Sequence, residues 1–324
     1  MNDLTTYLDT RGLPDRLTGG ARRIPIDTPA GRHFVWTKRI GNNPSLKVLL
    51  LHGGPGSTHE YLEAFDSFLP SAGIEYYYYD QLGSGNSDQP DATELWHLDR
   101  FVDEVEQVRR ALGLTPQNFV LYGQSWGGLL AMEYALTHPG QLLGLVISNM
   151  MASAPAYTTY AESVLAPQID QAVLAEIRAL EAAGDTDNPR YLELLMPNHY
   201  ERHVLRLPAS EWPDPVQRGF GHINPAIYVP MQGPSELGMS RGARLAHWDR
   251  VSDLERITVP TLVMGAEHDT MDPDHLREMA RLLPHGHYHH CPHGSHLAIY
   301  DDQEVYFSGL LDFLTGLARS PGSE

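Results

Sequence analysis

The sequence predicts an α/β protein: a mostly parallel sheet flanked by helices, with an inserted, mainly helical cap. Three observations predict it. Strand-like and helix-like segments alternate over residues 1–150 and again near the C-terminal end. Runs such as Lys47-Val48-Leu49-Leu50-Leu51 are apolar without interruption, as in strands buried on both faces. Between about Met151 and Arg250 the alternation stops, and prolines and aromatics crowd the chain. The expected organisation is a core over 1–150, a helical cap over 151–250 and the rest of the core over 251–324.

In order, residues 1–20 read as a loose polar arm. Arg22–Ile26 and His33–Lys38 flank the turn cluster Thr28-Pro29-Ala30-Gly31, predicting an antiparallel hairpin at a sheet edge. The 47–51 strand ends in His52-Gly53-Gly54-Pro55-Gly56, and Glu60–Leu69 reads as helical. Ile74–Tyr79 is a strand closing in Asp80-Gln81-Leu82-Gly83-Ser84-Gly85-Asn86-Ser87. Leu98–Leu112 carries apolar residues at 98, 101, 102, 105, 108 and 112, close to helical spacing. Asn118–Tyr122 is a strand, Leu129–Leu136 a helix, and Leu142–Ser148 a further strand. Within the cap, Val164–Ala183 reads as one helix. Strand 259–265, helix 275–283, strand 286–291 and a helix from Leu297 onward complete the core, and Arg319–Glu324 reads as a frayed tail. Such sheets bind ligands at the carboxyl ends of their strands, where three glycine-rich loops gather.

Apolar residues make up 42% of the chain, enough for a large core, and no apolar run approaches the roughly 20 residues of a membrane span. The single cysteine, Cys291, excludes an internal disulfide and fits a reducing compartment. With no leader-like N-terminus, a cytoplasmic enzyme is expected. The 41 acidic against 23 basic residues leave a net charge of −18, which repels phosphate backbones and argues against nucleic acid and anionic membranes as partners.

The chemistry centres on Gly123-Gln124-Ser125-Trp126-Gly127-Gly128. A G-x-S-x-G between a buried strand and a helix is the setting of a nucleophile elbow, which holds a serine hydroxyl at a helix N-terminus. A serine needs a base to take its proton and an acid to orient that base. In this layout they follow in the order serine, acid, histidine, each after a strand. Asp269, just past Gly265, is the expected acid, chosen over Glu267, Asp272 and Asp274. His296, in the loop after the last strand, is the expected base, chosen over His285, His287, His289, His290 and His293. His287, His289 and Cys291 share one strand face in a ligand-like pattern, but no carboxylate pair accompanies them, and no metal is expected. An oxyanion hole needs two backbone N–H groups. Trp126 supplies one; Gly54 is the expected second, with Gly53 next. His52 is expected to brace its loop.

Taken together, residues 52–56, 80–87 and 123–128, with Met231-Gln232-Gly233-Pro234-Ser235-Glu236, Gly265…Asp269…Pro273 and Gly294-Ser295-His296, resemble the proline iminopeptidases of the α/β-hydrolase fold. The match runs from about residue 30 to 315. The resemblance implies release of an N-terminal residue, proline or another small or apolar one, from short peptides or amino-acid amides and esters through an acyl-enzyme, without metal or organic cofactor. It also assigns Glu236 to the substrate's free amino group. Many members carry a second glutamate directly after the triad aspartate, where this chain has Thr270. Glu201 or Glu211 in the cap are the candidates to compensate. An esterase or lactonase on the same fold is the alternative.

Overall fold

Successive side chains of the central strands point into two different cores. Leu49 and Leu51, Leu121, Leu145 and Ile147, and Val263 pack with Phe101, Val105, Leu129 and Leu276 on one side. Val48 and Leu50, Val120 and Tyr122, Val146, and Leu262 and Met264 pack with Phe65, Leu310 and Leu314 on the other. Period-two alternation therefore persists, but both faces are covered, so the strands read as continuous apolar runs.

The computed structural model describes residues 4–318; the tail expected at 319–324 lies outside them. Among the described residues eight strands form one sheet: β1 (Ala21–Thr28), β2 (Gly31–Ile40), β3 (Lys47–Leu51), β4 (Glu75–Asp80), β5 (Phe119–Gln124), β6 (Gly144–Ser148), β7 (Thr261–Ala266) and β8 (Gly286–Cys291). Their order is β1-β2-β4-β3-β5-β6-β7-β8. β1 and β2 form the expected antiparallel hairpin at one edge. From β4 to β8 every pairing is parallel. The carboxyl ends of those strands share one rim, and the loops after β3, β4, β5, β7 and β8 open there.

Between β6 and β7 the described residues form no strand, only short helices and turns. Side-chain caps start four of the helices: Ser153 accepts from the Ala156 N–H, Asp170 from Ala172, Asn188 from Arg190 and Asn224 from Ala226. Each such cap is worth about 1 kcal/mol. The single helix expected over 164–183 is broken. A π turn (Ala161–Leu165) and a 3-10 turn (Ala166–Gln168) precede the helix Gln171–Ala183. Pro167 cannot donate to a preceding carbonyl, and Asp170 restarts the chain as an N-cap. Three smaller differences are the 3-10 character of Glu60–Ser67, the break at Asp302 between helices Ala298–Asp301 and Gln303–Leu317, and the arm expected over residues 1–20, where Leu4–Leu8 is helical with Tyr7 buried and Asp15 pairs with Arg39.

Candidate active site

Ser125 lies where β5 ends and the helix Trp126–Thr137 begins, with φ 55° and ψ −129°. That backbone is costly for a non-glycine residue, about 1–3 kcal/mol, and persists only where its surroundings enforce it. Here they do. A Cβ on Gly123 would come within 2.0 Å of the Gly127 carbonyl oxygen, and one on Gly127 within 2.2 Å of the Leu51 oxygen. The strand and helix meet too closely for any other residue. Ser125 N–H donates to the Ser148 carbonyl at 2.9 Å, and the Ser125 carbonyl accepts from Gly128 N–H at 2.7 Å.

His296 follows β8 and is almost fully buried. Its Nδ1 lies 2.7 Å from Asp269 Oδ1, so Nδ1 carries the proton and Nε2 is left as the basic nitrogen. Asp269 is completely buried. Its Oδ1 also accepts from Met271 N–H at 3.1 Å, and Oδ2 accepts from Asn149 Nδ2 at 2.6 Å. Burial pushes the His296 imidazolium toward lower pKa, but the Asp269 charge and hydrogen bond outweigh it, leaving the pKa above its ordinary value.

The backbone around His296 is held from the helical segment between β6 and β7. His296 N–H donates to the His203 carbonyl (3.0 Å) and Leu297 N–H to that of Val204 (2.8 Å). The His296 carbonyl accepts from Gln124 Nε2 at 3.0 Å. Gln124 Oε1 in turn accepts from the Tyr61 hydroxyl (2.8 Å), whose oxygen accepts from Gly53 N–H (2.7 Å). One chain of hydrogen bonds thus joins the 52–56 loop, the serine turn and the histidine loop.

Ser125, His296, Gly54 and Glu236 line one cavity of about 510 Å³. Glu236 is 8% exposed. Its Oε1 accepts from the Tyr228 hydroxyl (2.5 Å) and Gln232 Nε2 (3.0 Å). Burial, reinforced by the Glu236 charge, holds the Tyr228 phenol well above its ordinary pKa, so it stays a donor. Glu236 Oε2 is buried and has no hydrogen-bond partner among the described residues. An orphaned, buried carboxylate oxygen is costly unless a cation or donor arrives to meet it.

The competing residues have other work. Glu267 faces His290 (3.3 Å), Asp272 caps the helix Pro273–Leu282 by accepting from Asp274 N–H (2.9 Å), and Asp274 pairs with Arg277. Among the described histidines only His296 lines the cavity. Gly53 N–H is committed to the Tyr61 hydroxyl at 2.7 Å, and Gly54 lines the cavity. The helix starts at Trp126, so its N–H has no carbonyl one turn earlier. His52 braces its loop: Nε2 accepts from Gln81 N–H at 3.1 Å, and burial lowers its pKa to about 4.

Thr270 is fully buried outside the cavity; its hydroxyl lies 3.1 Å from His296 Nδ1 and 3.3 Å from Asp269 Oδ1. Glu201 accepts from Ala209 N–H at 2.7 Å, and neither Glu201 nor Glu211 lines the cavity. Burial pushes the Cys291 thiol far up, and His289 Nε2 lies 2.9 Å from the Val305 carbonyl. Among the described residues no three His, Cys, Asp or Glu are grouped to hold a metal ion. Sequence reasoning missed Asn149, Tyr228 and Gln232. Asn149 directly follows β6, so its place at the carboxyl rim was the one available signal.

A covered parallel sheet that presents a serine turn and an acid–histidine pair at one rim defines the α/β hydrolases. A family model for the alpha/beta hydrolase fold matches residues 47–303. A proline iminopeptidase of Elizabethkingia meningoseptica is 56% identical over 291 residues, covering 90% of this chain and 97% of that protein. The crystal structure of VinJ superimposes with a TM-score of 0.83 at 31% identity, covering 91% of this chain and 99% of the other. A Mycobacterium smegmatis proline iminopeptidase superimposes with a TM-score of 0.77 at 30% identity, covering 92% and 98%. The chain belongs to the proline iminopeptidase family of α/β hydrolases.

Proposed function

We propose that the protein is a serine aminopeptidase that releases N-terminal proline, or another small apolar residue, from short peptides and amino-acid amides. In this reading residues 151–250 form the cap over the site, and the single buried Cys291 fits a cytoplasmic setting. No helix among the described residues is long and apolar enough to cross a membrane.

The observation that carries the reading is Glu236 Oε2: buried, unpartnered among the described residues, and in the same cavity as Ser125 and His296. A free α-ammonium group supplies the missing donor and charge. Gripping that group beside the reacting serine limits attack to the first peptide bond.

Ser125 Oγ attacks the scissile carbonyl carbon while His296 Nε2 takes its proton. The N–H groups of Gly54 and Trp126 stabilise the oxyanion. As the C–N bond breaks, His296 returns the proton to the leaving amine, giving a Ser125 ester of the N-terminal residue. His296 then takes a proton from water, the hydroxide adds to the ester, and collapse releases the free amino acid with the proton back on Ser125. Asp269 orients the ring and stabilises the imidazolium throughout.

The test is turnover of a prolyl arylamide and its N-acetyl counterpart by wild type and Ser125→Ala. Wild type should cleave the free-amine substrate far faster than its N-acetyl counterpart, and Ser125→Ala should cleave neither. Equal cleavage of both substrates, or full activity in Ser125→Ala, would refute the reading.

A further inference from the structure

The charges around the cavity are one-sided. Glu236 and Asp187 are the carboxylates that line it, and among its described lining residues there is no lysine or arginine. Glu236 lies inside and is committed, in the proposed function, to the substrate ammonium. Asp187 is exposed, in the turn that follows the helix Gln171–Ala183, and so stands at the mouth. The rest of the wall is mostly apolar, including Met196, Trp212 and Phe220, with uncharged polar side chains such as Ser57 and Gln217 among them. Leu192 and Val229 line the same cavity yet remain 52% and 41% exposed, so the apolar surface continues out to solvent. At about 510 Å³ the space suits a ligand of several residues or an aromatic amide, far more than one prolyl group.

We propose that the leaving-group half of this cavity selects neutral, apolar leaving groups, and that Asp187 acts against substrates carrying a free carboxylate next to the scissile bond. This rests on the proposed function. In a dipeptide the second residue's carboxylate lies one residue from the cleaved bond. There it meets a mostly apolar wall with no lysine or arginine to pair with, and Asp187 of like sign at the exit. Burying an unpaired carboxylate and bringing it towards another negative charge both weaken binding. An amide or a longer peptide moves that charge away or removes it. The preferred substrates are therefore prolyl amides, arylamides and peptides of three or more residues with an apolar second residue, and dipeptides are poor ones.

The experiment compares kcat/KM for Pro-Phe and Pro-Phe-amide with the full-length enzyme, in wild type, Asp187→Asn and Asp187→Lys. The amide should be favoured by roughly tenfold or more in wild type. The ratio should shrink in Asp187→Asn and shrink further in Asp187→Lys, and added salt should narrow it in wild type because Asp187 is exposed. Equal rates on the two substrates in wild type overturn the inference and leave the proposed function standing. An unchanged ratio in both variants overturns the role of Asp187. Failure to release proline from either substrate overturns the proposed function, and this inference with it.

Discussion

Asn149 grips the Asp269 carboxylate on the oxygen that His296 does not use: Asn149 Nδ2 lies 2.6 Å from Oδ2, while His296 Nδ1 lies 2.7 Å from Oδ1. Asn149 holds this position in the left-handed region, at φ 51°, which asparagine tolerates better than most residues. Its own amide is oriented in turn. Ser148 Oγ donates to Asn149 Oδ1 at 2.7 Å and lies 2.8 Å from the Tyr306 hydroxyl, which is 2.6 Å from that of Tyr122. Asp269 is thereby tied to the C-terminal helix through a buried polar chain.

Replacing Asn149 with alanine removes one hydrogen bond to a charged group and leaves Asp269 Oδ2 short of a donor. Such bonds are worth about 1.5–3 kcal/mol. If the loss falls on the transition state, kcat drops by roughly 10- to 100-fold with KM little changed. Steady-state kinetics on a prolyl arylamide reads this directly, and a change confined to KM would show that Asn149 does not position the acid.

His296 can accept a proton only when neutral, and its pKa lies above the ordinary histidine value. kcat/KM should therefore rise with pH along an acidic limb whose midpoint is above about 6.5. In Asp269→Asn the largest raising influence is gone while burial and the weaker pull of Glu236 and Asp301 stay, so any residual limb moves to lower pH while kcat falls by on the order of 10³–10⁴. A pH–rate profile of both proteins checks the sign; a limb that moves upward in the variant contradicts it.

Glu236→Gln keeps the size of the side chain and removes its charge. The loss in kcat/KM on free-amine substrates should be roughly 30-fold or more, the lower range for breaking a buried charged pair. Discrimination against N-acetylated substrate should shrink by the same factor. Titrating both substrates against wild type and variant separates a lost ammonium partner from general damage, which would slow both alike.

Gly127→Ala tests the serine turn. The new methyl would collide with the backbone oxygen of Leu51. Overpacking of this kind costs about 1–3 kcal/mol or more, because the obstacle is main chain and cannot rotate away. Urea unfolding should show a lower midpoint, accompanied by reduced activity. A midpoint equal to wild type would mean that strand and helix can separate at no cost.

Much of this site was legible one residue at a time. Ser125 announces itself because its turn demands glycines at fixed offsets. Asp269 and His296 follow because parallel strands deliver their loops to one rim. Glu236 came from family resemblance, since nothing in its spacing separates it from any cap glutamate. The helix over 164–183 misread because Ala-rich periodicity outweighed Pro167 and the Asp170 cap. Thr270 could be read only as a missing glutamate; its contact with His296 Nδ1 was invisible.

The sequence by itself determined the sheet, the order of the serine, acid and base along it, and the turn that exposes the serine, because each depends on local periodicity and on steric limits within a few residues. The tertiary structure decided what those groups meet. Only chain folding from far away places Asn149 behind Asp269, sets the His203 and Val204 carbonyls under the His296 loop, and leaves Glu236 Oε2 without a partner among the described residues in a cavity with Asp187 at its mouth. Hydrogen bonding and charge act through space, over contacts that sequence separation does not encode.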